Sequence, residues 1–182
     1  MTIDVTKNPH YAIKSKIADM LETEFMSDAE FIVAYPDSKI VVGLFPQLPE
    51  RKSPLFQVLL LREGNVRQET EQNVRQYLGE INIYYYGRDV IDFDTGNITI
   101  AETDSVLSYL HDRVIELFDA PPNNALQYLV VPNNDGTPRG KVERITFGDI
   151  QELGLSRRES NLWNRSRIPF AVVTREVRTS GA

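Results

Sequence analysis

Few side chains in this sequence have the types and spacings that carry out chemistry. Its two histidines are His10, at the start of a predicted helix, and His111, in the middle of another, and neither has a partner at metal-ligand spacing. We therefore interpret both as polar surface residues. The chain has no cysteine, which excludes thiolate nucleophiles, disulfides, thiolate zinc sites and iron–sulfur clusters.

Other motifs for metal binding or catalysis are incomplete. Asp92, Asp94 and Asn97 resemble part of a calcium-binding loop, but Thr95-Gly96 breaks the required order of ligands, so we interpret the segment as a turn. No serine lies in a glycine-bracketed elbow, and the ten glycines form no phosphate-binding loop. The sequence predicts no catalytic residue, no cofactor and no metal ligand.

Aromatic and arginine side chains are the remaining candidates for binding. The triplet Tyr84-Tyr85-Tyr86 is typical of a strand whose alternate rings pack inward, more than of a stacking platform for bases or sugars. Tryptophan and arginine are enriched at the energetic centres of protein interfaces. An equally good interpretation of Trp163 is that it anchors a long loop onto the core. The candidate subunit or partner interface comprises Arg67, Arg75, Arg157, Arg158, Trp163, Arg165 and Arg167.

Charge is distributed unevenly along the chain. The net charge of -6 argues against general affinity for phosphate backbones. From Arg139 to the end the chain has nine basic and five acidic residues, whereas the rest has 11 basic and 21 acidic residues. This asymmetry is either ordinary scatter on a solvated surface or a sign of complementary faces that steer association with a copy or a partner.

The first third of the chain predicts one helix followed by two strands. Asn8-Pro9 is a helix-start signal, and apolar residues then recur at helical spacing: Ile13, Ile17, Met20, Leu21 and Phe25. The segments FIVAY and KIVVGLF, joined by the turn residues Pro36-Asp37-Ser38, predict a hairpin or a bent pair of strands. The proline-rich segment over residues 46–54 predicts a projecting loop.

The middle of the chain predicts two strands and a second helix. Leu55 to Leu61 is nearly continuously apolar, as in a central strand, and residues 81–86 alternate as in a strand with one buried and one wet face. The polar run from Glu63 to Gln76 is a strand extension, a short helix or a mobile loop. Residues 88–97 predict a linker. Thr103 is the predicted N-cap of the second helix, which ends at Asp119 before two prolines; its apolar stripe is Val106, Leu107, Leu110, Val114, Leu117 and Phe118.

The last third predicts a hairpin, a long polar loop and a closing strand. Leu126 to Val131 and Lys141 to Phe147 flank an Asp-Gly turn, the segment LSRRESNLWNRSR predicts a loop, and the closing strand runs from Phe170 to Val177.

We predict an α+β fold, a mixed and mainly antiparallel sheet with two main helices on one face, in a single domain over residues 1–182. No apolar run is long enough to cross a bilayer, and the N-terminus lacks a signal-peptide pattern, so a cytoplasmic product is expected.

In the order of its elements and in the types of residues along them, the chain resembles the tail terminator proteins of tailed bacteriophages, also called tail completion or head–tail joining proteins. The resemblance covers nearly the whole chain. The segments that carry it are IKSKIADMLETEF, PLFQVLLLREG, GEINIYYYGRD, TDSVLSYLHDRVIELF and SRIPFAVVTREV.

The resemblance implies a structural protein that is not an enzyme. Its protomers would form a ring, commonly a hexamer, that caps the tail tube and presents a surface to the neck of the head. The implied partners are copies of itself, the tail tube protein and neck or head-completion proteins, with the tail sheath as a further candidate. The implied location is the tail–neck junction of the virion, after assembly in the host cytoplasm. No membrane and no sequence-specific nucleic acid is expected as a partner.

Three alternatives remain open at this point. The chain could be another neck or head–tail adaptor protein with a related fold. It could be a module that binds a small molecule or nucleotide behind the tyrosine-rich strand. A hydrolase could assemble its site from residues distant in sequence.

Overall fold

Within the part of the chain that the structure describes, the residues form a seven-stranded sheet and three helices. The computed structural model describes residues 8–44, 54–68, 72–87, 101–119, 126, 129–132, 137–158 and 161–177. The helices are α1 (Pro9–Met26), α2 (Ala29–Ala34) and α3 (Ala101–Asp119). The strands are β1 (Lys39–Val42), β2 (Leu55–Gln68), β3 (Gln72–Gly87), β4 (Val130–Pro132), β5 (Pro138–Phe147), β6 (Gln151–Arg158) and β7 (Asn161–Val177).

The sheet is mixed and mainly antiparallel. Its order is β1-β2-β3-β7-β5-β4, and β6 also pairs with β7. Only β1 and β2 run parallel; every other described pair is antiparallel. Strand β7 pairs with β3 over its whole length on one side, and on its other side with β5 and then β6. The predicted α+β class is confirmed.

Helix α1 begins and packs as its sequence predicts. The side chain of Asn8 accepts a hydrogen bond from the backbone N–H of His10 at 2.8 Å, and Pro9 occupies the first helical position. The residues at helical spacing form its buried face: Ile13, Ile17, Met20, Leu21 and Phe25. They pack on one face of the sheet, together with apolar residues of α3.

The segment FIVAY forms helix α2, so the predicted hairpin is wrong. Asp28 caps α2, because its Oδ1 accepts hydrogen bonds from the backbone N–H groups of Glu30 and Phe31. Only Phe31 of this helix is buried, whereas the side chains of Ile32 and Val33 are exposed. The KIVV part of the second segment does form β1, but it pairs in parallel with β2.

Asp28 should make folding sensitive to acid. The backbone hydrogen bond from Phe31 and the guanidinium of Arg113 lower the pKa of Asp28 below its ordinary value of 3.8. Because the folded state favours the ionised carboxylate, this contribution is complete above pH 3.8 and is lost as the pH falls through the lowered pKa. Asp28→Asn retains a capping oxygen but not the charge. The difference in unfolding free energy between wild type and variant should therefore shrink from about pH 5 to about pH 2 in urea titrations; a constant difference would contradict this role.

The described residues of the polar run from Glu63 to Gln76, 63–68 and 72–76, lie in strand extensions, one of the three structures left open by the sequence. Strands β2 and β3 form a long antiparallel hairpin, in which Arg67 pairs with Val74 and Gln68 pairs with Asn73. The outer part of β3 also pairs with the end of β7, Gln72 opposite Val177. We call residues 62–68 and 72–78 the arm. A bulge between Leu60 and Arg62 marks where the arm begins, opposite Gly79.

The two faces of the sheet carry different side chains. Residues such as Phe56, Ile81 and Ile168 face the helices and form the core. We call the opposite side the outer face; it carries Gln57, Asn82 and their cross-strand neighbours. The alternation in β3 was correctly predicted, but its second face is not wet, because Glu80, Asn82 and Tyr84 are all buried.

Helix α3 begins at Ala101, so Thr103 lies inside the helix and is not its N-cap. The apolar stripe is confirmed: Leu107, Leu110, Val114 and Phe118 are buried, and Val106 and Leu117 pack against the same core. The helix ends at Asp119 as predicted. None of the described helices is both long and apolar enough to cross a membrane.

The C-terminal third contains more strand than the sequence predicts. The pairing of the segments around Val130 and Lys141 as a hairpin is confirmed. The predicted loop LSRRESNLWNRSR is wrong, because it forms most of β6 and the start of β7. The closing strand therefore begins at Asn161 rather than Phe170. Polar residues can build these strands because β7 pairs with β3 on one side and β6 on the other.

Two predicted segments lie outside the described residues. They are residues 46–53 of the proline-rich loop and the linker over 88–97, which contains Asp92, Asp94 and Asn97.

Candidate functional site

The seven predicted interface residues lie at opposite ends of the β3–β7 pair. Arg67 and Arg75 belong to the arm, and the other five lie on β6 or the first half of β7. Arg165 pairs with Tyr84, nine positions along β3 from Arg75, which is about 30 Å at 3.3 Å per residue. The structure therefore separates them into two groups. For Arg67, Arg157, Arg158 and Trp163 only the backbone positions are described.

Arg75 belongs to a network that holds the arm to the body of the sheet. We define the arm cluster as His10, Glu63, Arg75, Arg139 and Glu176. Arg75 Nε and Arg139 Nε each lie 3.0 Å from Oε1 of Glu176, whose side chain is 4% exposed. Arg75 also donates to Glu63 at 2.6 Å. The cluster thereby joins β2, β3, β5 and β7, and His10 of α1 lies 3.6 Å from Glu63.

The charges in the arm cluster favour the ionised form of Glu63. Burial opposes ionisation of this carboxyl, but the hydrogen bond and charge of Arg75 outweigh burial and lower the pKa of Glu63. Burial raises the pKa of Tyr77, which lies beside the cluster, to about 12. Its hydroxyl is therefore neutral at any physiological pH. The arrangement is a network of ion pairs that holds the arm to the body of the sheet.

Arg165 and Arg167 belong to a second network, on the outer face of the sheet. We define the polar ladder as Gln57, Glu80, Asn82, Tyr84, Arg165 and Arg167. Asn82 donates to Glu80 at 2.8 Å and accepts from Arg165 at 3.0 Å. Tyr84 donates to Gln57 at 3.1 Å, and the guanidinium of Arg165 lies over the Tyr84 ring with its Cζ 5.5 Å from the centroid.

The ends of the polar ladder extend its hydrogen bonds across the sheet. Gln57 donates to the backbone carbonyl of Gly43, just beyond β1, at 2.9 Å. At the other end Arg167 donates to Gln151 of β6 and to Glu80. The guanidinium groups remain partly exposed, with side-chain exposures of 39% for Arg165 and 34% for Arg167. The Nε atoms of both arginines are buried and, among the described contacts, have no hydrogen-bond acceptor. The ladder therefore presents cationic groups whose natural ligand is a carboxylate.

The described side chains of the tyrosine triplet, Tyr84 and Tyr85, support its interpretation as part of a strand whose rings are packed against other residues. Tyr84 is buried in the polar ladder. Tyr85 points to the opposite face, where its ring meets Tyr35 edge-on with centroids 6.3 Å apart. Burial and the charge of Glu80 raise the pKa of Tyr84, while Arg165 opposes the rise. Neither ring is laid open as a platform for stacking; the side chain of Tyr86 lies outside the described residues.

The prediction that His111 is a wet surface residue is wrong. Its side chain is buried, and Nε2 lies 2.5 Å from the hydroxyl oxygen of Ser166 on β7. A histidine beside a serine is the pairing that activates a nucleophile. Here both residues are buried, with Ser166 at 0% exposure, so the pair offers a substrate no access and instead fastens α3 to the sheet. His10 is half-buried, packing edge-on against Tyr77 with ring centroids 5.3 Å apart.

Sequence reasoning missed Arg113, which joins all three helices. Its guanidinium donates to Asp28 at 2.8 Å and to Tyr109 at 2.9 Å, forms an ion pair with Glu24, and lies over the Phe25 ring. Burial opposes the charge, but the hydrogen bonds to Glu24, Tyr109 and Asp28 raise the pKa of Arg113. The i,i+4 spacing of Tyr109 and Arg113 was the one local signal for this contact.

No protein-family model and no curated protein matches the chain. Among the residues that the structure describes, no group of three or more His, Asp or Glu side chains is arranged to hold a metal ion. The candidate site therefore consists of surfaces: the arm at one end of the sheet, the β6–β7 hairpin at the other, and the outer face between them.

Proposed function

We propose that this chain is a structural protein of a phage virion, a tail terminator. In this proposal copies of the chain form a ring, a hexamer, that caps the tail tube and joins the tail to the neck and head without performing chemistry. The resemblance of its element order to the tail terminator proteins motivates the proposal. Its partners would be the tail tube protein and the neck or head-completion proteins.

The observation that carries the proposal is the pair of hairpins at opposite ends of one continuous sheet. The β2–β3 hairpin ends in the polar arm, and the β6–β7 hairpin places the backbones of Arg157, Arg158 and Trp163 at the other end. Strands β3 and β7 connect the two ends through 16 paired positions, from Gln72 with Val177 to Gly87 with Leu162. A ring held between a tube and a neck needs two binding ends on a rigid scaffold, and in this proposal the two hairpins serve as those ends.

The arm is fixed before any partner binds. Glu176 holds Arg75 and Arg139, and Glu63 holds Arg75 from the neighbouring strand. A preorganised binding element loses less conformational entropy on docking than a loop that must first become ordered. This suits a protein that must recognise the end of a tube once and remain there.

Electron microscopy tests the proposal directly. Tail tubes assembled from the tube protein encoded near this gene should carry a ring of this chain at one end after mixing. A charge reversal at an exposed arm residue, Arg62→Glu, should reduce the fraction of capped tubes. Rings that bind a head-completion complex but never a tube end would assign the chain to a neighbouring neck adaptor. Uncapped tubes without any ring would contradict the proposal.

A further inference from the structure

We propose that the outer face of the sheet in one copy docks on the outer surface of the three helices in the next copy, and that opposite charge aligns the two surfaces. This inference rests on the proposed ring and names the surfaces that build it. The two surfaces lie on opposite sides of the protomer. A contact between them is therefore heterologous and can repeat around a closed ring.

The outer surface of the helices is acidic. Six acidic side chains are exposed there, and no basic side chain of the described helix residues is fully exposed: Asp19, Glu22, Glu30, Asp112, Glu116 and Asp119. Lys14 and Lys16 of α1 are half-buried, and Arg113 is occupied by Glu24 and Asp28. Exposed apolar side chains lie on the same layer, including Val33 and Tyr109. Acids around apolar and aromatic groups form a surface suited to a cationic partner.

The outer face of the sheet is basic. Cross-strand register and alternation place seven basic side chains on this face: Lys39, Arg62, Lys141, Arg144, Arg165, Arg167 and Arg175. Two carboxylates accompany them among the described residues, and both are already paired, Glu80 with Arg165 and Arg167, and Glu143 with Arg175. The side chains of Arg165 and Arg167 remain 39% and 34% exposed. Among the described residues, this face therefore carries more basic side chains than carboxylates.

A second copy of the chain fits the basic face better than nucleic acid does. The chain as a whole has a net charge of -6, which opposes binding to a phosphate backbone. The carboxylates that the face lacks are present in excess on the opposite side of the same molecule. Each protomer therefore carries both halves of one complementary contact.

A charge-swap experiment tests the assignment. In the outer-face variant, Lys141→Glu is combined with Arg144→Glu; in the helix variant, Asp112→Lys is combined with Glu116→Lys. All four residues are exposed. Each variant alone should weaken the contact between copies about a hundredfold in sedimentation at low salt, because like charges then meet. An equimolar mixture should restore the ring mass, since each altered face then meets its complement.

Controls separate the possible outcomes. Asp149→Lys alters an exposed residue in the connection between β5 and β6 and should leave assembly unchanged. If wild type forms rings and both variants form them equally well, the face assignment is overturned while the proposed function stands. If wild type is monomeric and ignores tail tubes, both fail. Loss of affinity for duplex DNA in the outer-face variant, with its rings intact, would assign that face to nucleic acid and overturn the inference.

Discussion

Gly79→Ala is expected to lower the free energy of unfolding by about 2 to 3 kcal/mol. A Cβ atom at Gly79 would lie 2.4 Å from the backbone carbonyl oxygen of Leu59 and 2.4 Å from Cζ of Phe170. Neither neighbour can move away easily, because Leu59 is held in the sheet and Phe170 is 3% exposed within the core. The methyl group must therefore displace β2 or the Phe170 ring. Urea unfolding followed by circular dichroism measures the loss.

Gly64→Ala is the matched control, since it makes the same change one strand away. The nearest atom to a Cβ at Gly64 is the side-chain oxygen of Gln76 at 3.2 Å, the far end of a flexible side chain that can rotate. We expect a change within about 0.5 kcal/mol. Equal effects of the two substitutions would show that β2 and β3 do not approach as closely at Gly79 as the structure has them.

Glu176→Gln is expected to lower the free energy of unfolding by about 2 kcal/mol. The substitution leaves Arg75 and Arg139 facing a neutral amide where a carboxylate had balanced both charges. Removing one partner from a buried ion pair costs more than this, but the two guanidinium groups here are 19% and 23% exposed and retain some hydration. Amide hydrogen exchange should also become faster in the arm, because the network that fixes it is broken.

Glu143→Gln is the control for the Glu176 substitution. Glu143 forms an ion pair with Arg175, and these side chains are 36% and 43% exposed. An exposed pair contributes little, so we expect a loss below about 0.5 kcal/mol and unchanged exchange in the arm. If the two glutamine variants were equally stable, the arm cluster would not hold the arm as the distances indicate.

The sequence predicted those elements whose signals are local. Helix α1 has both a cap and a helical apolar period, and the stripe of α3 marks its buried face regardless of where the helix starts. Strand β2 is apolar enough to be recognised without knowledge of its neighbours. These features depend on residues that are close together in the sequence, and hydrophobic periodicity is a signal of that range.

The errors have non-local causes. The run FIVAY is rich in β-branched and aromatic residues, yet the cap at Asp28 and the single buried side chain of Phe31 make it a helix. The start of β7 is too polar to predict as a strand from its composition. It forms a strand because its backbone pairs with β3 on one side and with β6 on the other. His111 is buried where its ring forms a hydrogen bond with the hydroxyl group of Ser166, 55 positions later in the chain. Such partners are brought together only by folding.

The candidate interface stays a prediction. The structure divides its residues between the arm and the β6–β7 end of the sheet, a division that alternation and strand order determine together. The charge asymmetry along the sequence corresponds to a difference between two sides of the fold, acidic helices and a basic sheet face. Only the register of β5 on β7 places Lys141 and Arg144 on the same face as Arg165.

The native mass of the chain, measured alone over a range of concentrations and again with tail tubes, tests the proposed ring most directly. A single oligomer of uniform copy number, six, is expected either in solution or when tubes are present. That oligomer should cosediment with tubes in a ratio of about one ring per tube end. A chain that stays monomeric at every concentration and does not cosediment with tubes would contradict the proposed ring.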